Sequence, residues 1–345
     1  MSIFIHIEKS FKEGLPFVSY RKPNSKKISA FFQKDTSLNI IDEYSNSGFV
    51  FAPFNNTDDA VFIPKESSIY IEEEQPIFDF KLHSKNTSIN YLSKENHIDL
   101  VKKGIDAINN NDFQKVVLSR KELVELANFD CLVVFKNLLS IYANAMVYVW
   151  FHPKVGLWLG ATPETLVKID GNSFETMSLA GTQPYQENEN AIWNQKEIDE
   201  QQFVTDYIVE KLTPISESIH TGKTETIKAG SILHLKTKIT GTFKVKNSKL
   251  IAALHPTPAV CGLPKEESKN FILKNELYKR SYYTGFLGEL NNNEKQTQLF
   301  VNLRCMQIIS NNAIIYIGGG ITKDSIPEKE WEETVAKALV MKKVL

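Results

Sequence analysis

His97-Ile98-Asp99-Leu100-Val101-Lys102-Lys103-Gly104-Ile105-Asp106-Ala107-Ile108, then Asn109-Asn110-Asn111-Asp112, then Lys115-Val116-Val117-Leu118-Ser119, is the stretch on which the fold turns. Ile98, Val101, Ile105 and Ile108 recur at helical spacing and predict one apolar helix face. The asparagine run ends that helix, and the β-branched run after it reads as a strand. Upstream, to about residue 95, the chain reads as short strands and loops, with Ser29-Ala30-Phe31-Phe32 and Gly48-Phe49-Val50-Phe51 as apolar pieces and Asn55-Asn56 and Asn86 as punctuation. Downstream, a helix is expected over 131–143 and strands over 146–151, 155–159, 166–169 and 174–179. A long helix follows over about 190–217, then strands over 239–245, 283–287, 299–308 and 313–317. A last helix begins at Pro327, where a first-turn proline followed by Glu328 and Glu330 suits a helix N-terminus. Many strands mixed with a few long helices indicate α/β of the mixed, α+β kind. Residues 1–95 form a strand-rich N-terminal region of the same fold, and the reactive groupings all fall within 96–345.

Composition narrows the function. A chain of 345 residues is one large domain or two closely fused lobes. With 40 basic against 41 acidic residues there is no basic field to draw in nucleic acid, so an acidic substrate has to be captured by local positive groups. Cys131, Cys261 and Cys305 fit no zinc spacing, and an odd number argues against a disulfide framework; they read as buried thiols in a reducing cytoplasm. Met1-Ser2-Ile3-Phe4-Ile5-His6 lacks the pattern of a signal peptide, and no apolar run reaches membrane-spanning length.

Carboxylates cluster twice. Glu197 and Glu200 are three apart on the long helix, Glu330 and Glu333 are three apart on the last one, and Lys337 lies a turn further along the same face. Taken alone, each pair reads as ordinary solvated charge. If the two helices converge, four carboxylates repel unless they share a cation, and Mg²⁺, a hard ion that takes oxygen ligands, fits such a set.

Several strings follow in order: Lys115-Val116-Val117-Leu118-Ser119-Arg120, Gly160-Ala161-Thr162-Pro163-Glu164, Leu179-Ala180-Gly181-Thr182, Lys196-Glu197-Ile198-Asp199-Glu200, and His255-Pro256-Thr257-Pro258-Ala259-Val260-Cys261-Gly262. After them come Tyr283-Thr284-Gly285-Phe286-Leu287-Gly288, Leu303-Arg304-Cys305, Gly318-Gly319-Gly320-Ile321 and Glu330-Trp331-Glu332-Glu333-Thr334. The ordered set, over roughly 97–345, resembles the chorismate-utilising enzymes: isochorismate, salicylate, anthranilate and aminodeoxychorismate synthases. The resemblance implies two packed sheets with outer helices and an active-site cleft between two lobes.

It also implies roles. Lys115 matches the water-activating base, which must be held neutral near pH 7; the bland alternative is a strand-start lysine reaching solvent. Glu164 matches the general acid, which must be held protonated; the alternative is a helix N-terminal glutamate after Thr162-Pro163. Glu197, Glu200, Glu330 and Glu333 match the Mg²⁺ carboxylates. Arg304 matches the guanidinium that grips a substrate carboxylate, Tyr283 adds a hydroxyl, and Lys337 adds a cation. Backbone at Ala180, Gly181 and Thr182 and at Gly318, Gly319 and Gly320 fits close approach to an anion; the alternative for the triple glycine is a tight turn after a strand. His255 reads as structural. This chain departs from the pattern at Ile198 and Gln201, where relatives often carry arginine and histidine.

The resemblance implies an isochorismate synthase rather than its relatives. Ammonia-using members generally lack the lysine seen here as Lys115, and this sequence contains no amidotransferase domain and no Leu-Leu-Glu-Ser string in its N-terminal region. No amidotransferase subunit is therefore expected. Salicylate synthases, the alternative, tend to carry threonine where Ala259 stands. The expected substrate is chorismate, the product isochorismate for menaquinone or siderophore synthesis, and the enzyme a cytoplasmic monomer without nucleic-acid or membrane partners.

Overall fold

In the computed structural model, which describes residues 2–78, 91–185, 191–229, 232–292 and 296–345, the strands gather into two nine-stranded sheets. The first runs, edge to edge, Gly262–Leu263, Lys115–Glu125, Asn312–Ile321, Cys305–Ile309, Gly156–Thr162, Met146–His152, Phe17–Arg21, Lys27–Gln33 and Ser68–Glu74. The second runs Ser216–Ala229, Ile232–Phe243, Ser173–Pro184, Thr165–Asp170, Gln296–Val301, Phe286–Asn292, Gly48–Ala52, Ala60–Pro64 and Asn39–Ile41. The N-terminal strands thus complete one end of each sheet.

Period-two alternation divides the apolar side chains between two layers. Phe49 and Phe51 point between the sheets, with Tyr20, Phe31, Trp150, Trp158 and Phe300, whereas Val50 and Ala52 face the helices outside. Both faces are covered, so Gly48-Phe49-Val50-Phe51 is one continuous apolar run rather than an alternating one. Each fully buried aromatic here contributes roughly 2–3 kcal/mol. The helices Ile3–Glu13, Cys131–Ile141 and Pro327–Lys342 cover the first sheet, and Gln195–Leu212 and Asn247–Leu254 cover the second.

Two strand pairs pass from one sheet to the other. Gly156–Thr162 pairs with Cys305–Ile309 in the first sheet, and their continuations Thr165–Asp170 and Gln296–Val301 pair in the second. The chain crosses at Pro163-Glu164 and at Asn302-Leu303-Arg304. The crossings are laced together: Ala161 N–H donates to Arg304 O and Val301 N–H to Glu164 O, each at 3.0 Å, and Thr162 Oγ1 donates to Val301 O at 2.5 Å. Arg304 takes a left-handed backbone, φ 47°.

The crossings correct the sequence reading. The single strand expected over 299–308 is two strands in two sheets, because the turn at Arg304 interrupts the ladder. Glu164 opens no helix; it stands in the gap between strands. The helix expected over 190–217 is Gln195–Leu212, ended by a short turn containing Pro214, and Ser216 onward is strand. Tyr283 lies in a turn before the strand Phe286–Asn292 rather than in it. The N-terminal region, expected to hold only strands and loops, opens with the helix Ile3–Glu13, whose Ile3 and Ile7 face the core and whose Gly14 closes it at φ 68°. Helices Asn247–Leu254 and Lys265–Asn275 were likewise not anticipated. No helix among the described residues is long and apolar enough to cross a membrane. All three cysteines are buried and free.

Candidate active site

Lys115 begins the strand Lys115–Glu125, and its backbone is fixed on both sides. Leu263 pairs with it across the edge, and Ser268 Oγ donates to Lys115 O at 2.9 Å. Its ammonium reaches Glu200 Oε1 at 2.5 Å. Gly320, Gly319 and Gly318 lie opposite Val117, Leu118 and Ser119 within the strand Asn312–Ile321, so they form no turn. None has a positive φ; what they provide is space. A Cβ on Gly318 would stand 2.9 Å from both Leu118 O and Tyr283 Oη. One on Gly319 would stand 3.4 Å from Glu330 Oε2 and 3.7 Å from Glu333 Oε1, and one on Gly320 would stand 3.1 Å from Lys115 Cε and 3.7 Å from Glu200 Oε1. The two glutamate helices therefore do converge, over a floor of bare backbone.

Each helix is anchored beside its carboxylates. On the last helix Trp331 and Thr334 turn inward: the Arg120 guanidinium lies 4.3 Å over the Trp331 ring, and its Nε donates to Thr334 Oγ1 at 2.7 Å. On Gln195–Leu212, buried Gln201 donates to Ser178 Oγ and Thr237 Oγ1 at 2.8 and 3.0 Å, which gives that departing residue a structural task. Ile198 is largely exposed. The register of Ser173–Pro184 slips between Ala180 and Thr182, and Gly181 sits there at φ 69°. A Cβ on Gly181 would meet Glu197 O at 3.2 Å, so glycine lets the helix start approach the strand.

The cavity so enclosed measures about 200 Å³ and is lined by Lys115, Glu164, Ala180, Gly181, Glu197, Glu200, Tyr283, Arg304, Gly318, Gly319, Gly320, Glu330, Glu333 and Lys337. The sequence-predicted residues thus come together, apart from Thr182, whose backbone is in the strand but whose side chain lies outside the described residues.

The carboxylates differ electrostatically. Burial pushes the Glu164 carboxyl up to about 7, against the pull of the Arg304 and Lys115 charges. Burial also pushes Glu333 up, but the Lys337 ammonium, 2.5 Å away, more than offsets it, and the carboxyl is held below its usual range. Near neutral pH one carboxyl is thus partly protonated while another in the same cavity is ionised. Lys337 also donates to Gly318 O at 3.1 Å. Burial lowers the Arg304 guanidinium from its ordinary value and raises the Tyr283 hydroxyl.

Glu197 Oε2 is buried with no hydrogen-bond partner, the kind of orphaned acceptor a hard cation would satisfy. Among the described residues no three His, Cys, Asp or Glu groups form a ready-made metal cage. Among the described residues, Lys115 pairs with Glu200 and Lys337 with Glu333.

Sequence reasoning missed several lining residues. His234 faces the cavity with Nδ1 3.0 Å from Gly181 O, and burial pushes it down to about 4. Its one signal was a histidine between Leu233 and Leu235. Val117, Val260, Thr284 and Leu303 also line the cavity, as does Ala259. His255 is structural as read: it is buried, its Nε2 lies 3.1 Å from Pro53 O, and burial pushes it down to about 4.

An isochorismate synthase of Escherichia coli K12, EntC, is 30% identical over 241 residues, covering 66% of this chain and 61% of its own. The vibriobactin-specific isochorismate synthase of Vibrio cholerae is 28% identical over 246 residues, covering 68% of this chain and 62% of its own. The chain thus spans less than two thirds of the length of these relatives. The menaquinone-specific isochorismate synthase of Escherichia coli superposes with a TM-score of 0.81 at 18% identity, over 96% of this chain and 88% of that one, which shows a shared fold. The model of the chorismate binding enzyme family matches residues 57–345, a span containing every residue that lines the cavity, and the chain belongs to that family.

Proposed function

We propose that the protein is a Mg²⁺-dependent isochorismate synthase, adding water at C2 of chorismate and expelling the C4 hydroxyl. The observation that carries this reading is Glu164: a buried carboxyl poised at about 7 in the same cavity as Lys115 and Arg304. A hydroxyl is a poor leaving group unless it is protonated as it departs, and an acid titrating near the working pH does this best. The names of the relatives point the same way.

In this reading Lys115 parts from Glu200 and, acting as the base, takes one proton from water as the oxygen bonds to C2. Glu164 gives its proton to the departing C4 oxygen, which leaves as water. Arg304 holds the enolpyruvyl carboxylate with its planar fork, and Tyr283 and Lys337 add donors. Glu197, Glu200, Glu330 and Glu333 would hold Mg²⁺, some of them through water, and the all-oxygen donor set and the orphaned Glu197 Oε2 fit that ion. Bound there, Mg²⁺ would supply positive charge to neutralise the ring carboxylate. The reading extends to a monomer of the cytoplasm, supported by three free, buried thiols, that acts without an amidotransferase. Whether the product feeds menaquinone or siderophore synthesis follows the same chemistry.

Purified protein incubated with chorismate and Mg²⁺ is expected to give isochorismate in reversible equilibrium, and excess chelator is expected to abolish turnover until Mg²⁺ is restored. Stoichiometric pyruvate release would favour a salicylate synthase instead. Full activity in chelator would remove the metal from the reading.

A further inference from the structure

Behind the cavity wall, outside the lining, lies a buried ion pair. Arg280 is 3% exposed and Glu276 8%. Arg280 has five N–H donors, and each finds an acceptor. Nε donates to Glu276 Oε2 at 2.8 Å and Nη2 to Glu276 Oε1 at 2.5 Å; the second Nη2 hydrogen goes to Val117 O at 2.6 Å. Nη1 donates to Val260 O at 2.9 Å and to Thr284 Oγ1 at 3.3 Å. Glu276 Oε1 also accepts from Ser119 N and Ser119 Oγ, each at 2.8 Å.

The acceptors outside the pair belong to three separate stretches of chain, and Val117, Val260 and Thr284 all line the cavity. Val117 is two residues from Lys115 in one strand, so both project to the same side. Thr284, at φ 60°, is the turn residue whose N–H donates to Asn302 O at 2.9 Å, on the crossing that carries Arg304. The Lys115 strand and the 257–261 loop are already joined by the Val117 N–H to Cys261 O bond at 2.8 Å, and the buried guanidinium ties the Thr284 turn to both. A lysine cannot reproduce that fork.

We propose that Arg280, oriented by Glu276, is a positioning residue that holds the Tyr283-Thr284 turn against the Lys115 strand and the 257–261 loop. The catalytic part of this inference rests on the proposed chorismate chemistry; the positioning itself does not. Displacement by an ångström costs on the order of 10²-fold in rate when reacting groups must be aligned.

Arg280→Lys is expected to lower kcat about 10–100-fold with KM changed less than about 3-fold. Amide hydrogen exchange in the same variant is expected to quicken at Val117, Cys261 and Thr284 and to stay unchanged in the Cys131–Ile141 helix. The double variant Arg280→Met/Glu276→Met replaces the pair with apolar groups, a change buried ion pairs often tolerate in stability, and is expected to fold yet share the kcat loss. Normal kcat per folded molecule in either variant, or unchanged exchange at the three amides, overturns the proposal. If wild-type protein makes no isochorismate, the functional reading fails, and the exchange pattern still decides the positioning.

Discussion

The two sheet crossings and the two glutamate helices furnish one cavity by opposite means. Glu164 and Arg304 sit on backbone that is itself hydrogen-bonded across the crossing, through Ala161, Thr162 and Val301. Glu200 and Glu333 sit on helix faces, and the carboxylate of each pairs with a lysine ammonium. Backbone lacing cannot exchange partners without unfolding the strand ends, whereas an ion pair exchanges as soon as another cation arrives. The difference teaches which parts of the site are built in advance and which are held in reserve. It also separates the fates of two carboxyls in one cavity, Glu164 pushed up and Glu333 held down.

The sharpest way to break this comparison is at the proposed acid. Glu164→Gln keeps the volume and removes the proton, and kcat on chorismate is expected to fall 10²–10⁴-fold with KM nearly unchanged. A loss of less than tenfold would mean that the crossing supplies shape and not chemistry. In the wild type, kcat is expected to decline as pH rises through about 7, where Glu164 loses its proton.

The next effect is on stability. Between the ordinary carboxyl value of 4.5 and about 7, folded protein keeps the Glu164 proton that the unfolded chain has released. Stability therefore falls as pH rises across that window and levels off above it, by about 3 kcal/mol at most for this one group. Thermal melts of metal-free wild type and Glu164→Gln at pH 5 and pH 8 isolate it: the wild type is expected to lose more stability between the two. Parallel pH dependence would show that the carboxyl is not held protonated by the fold.

Smaller effects separate lacing from ion pair. Thr162→Val removes the hydroxyl that clasps Val301 O and accepts from Glu164 N–H, and is expected to cost about 1–2 kcal/mol in denaturant melts, since Val301 O is left with the Leu303 N–H and the Glu164 N–H loses this acceptor. Lys337→Met removes the partner of Glu333, whose side chain is 38% exposed, and is expected to cost less than about 1 kcal/mol while raising KM for chorismate. Equal costs would erase the distinction between the two devices.

The helix-borne part of this site was legible through the resemblance: spacing of three puts Glu197 with Glu200, and Glu330 with Glu333, on single faces, but taken alone each pair reads as solvated charge. The strand was legible because Lys115 opens a β-branched run, while the role of Lys115 came only from the resemblance of the ordered strings. That the two helices meet was not readable from spacing, since convergence is a property of the tertiary fold and not of either helix's own pattern. The crossings were hidden for another reason. Leu299 to Ile308 is apolar on both sides of Asn302 and Arg304, and a left-handed turn at an arginine leaves no compositional mark of the kind glycine would. Arg280 was invisible beside Lys279, because adjacent basic residues before a tyrosine pair read as surface. Only the acceptors around it, at Glu276, Val117, Val260 and Thr284, reveal a core residue.

The placement of the N-terminal strands bears on how the chain assembles. Phe17–Arg21 pairs with a strand about 130 residues further on, and Gly48–Ala52 with one roughly 240 residues further on. Closing such large loops is slow because their ends must meet before any contact rewards the loss of freedom. During synthesis each of these strongly apolar strands can pair at once with the strand that follows it, Lys27–Gln33 or Ala60–Pro64, but its other ladder edge emerges long before the distant partner exists. They are the segments a nascent chain most needs shielded, and the last to find their places in either sheet.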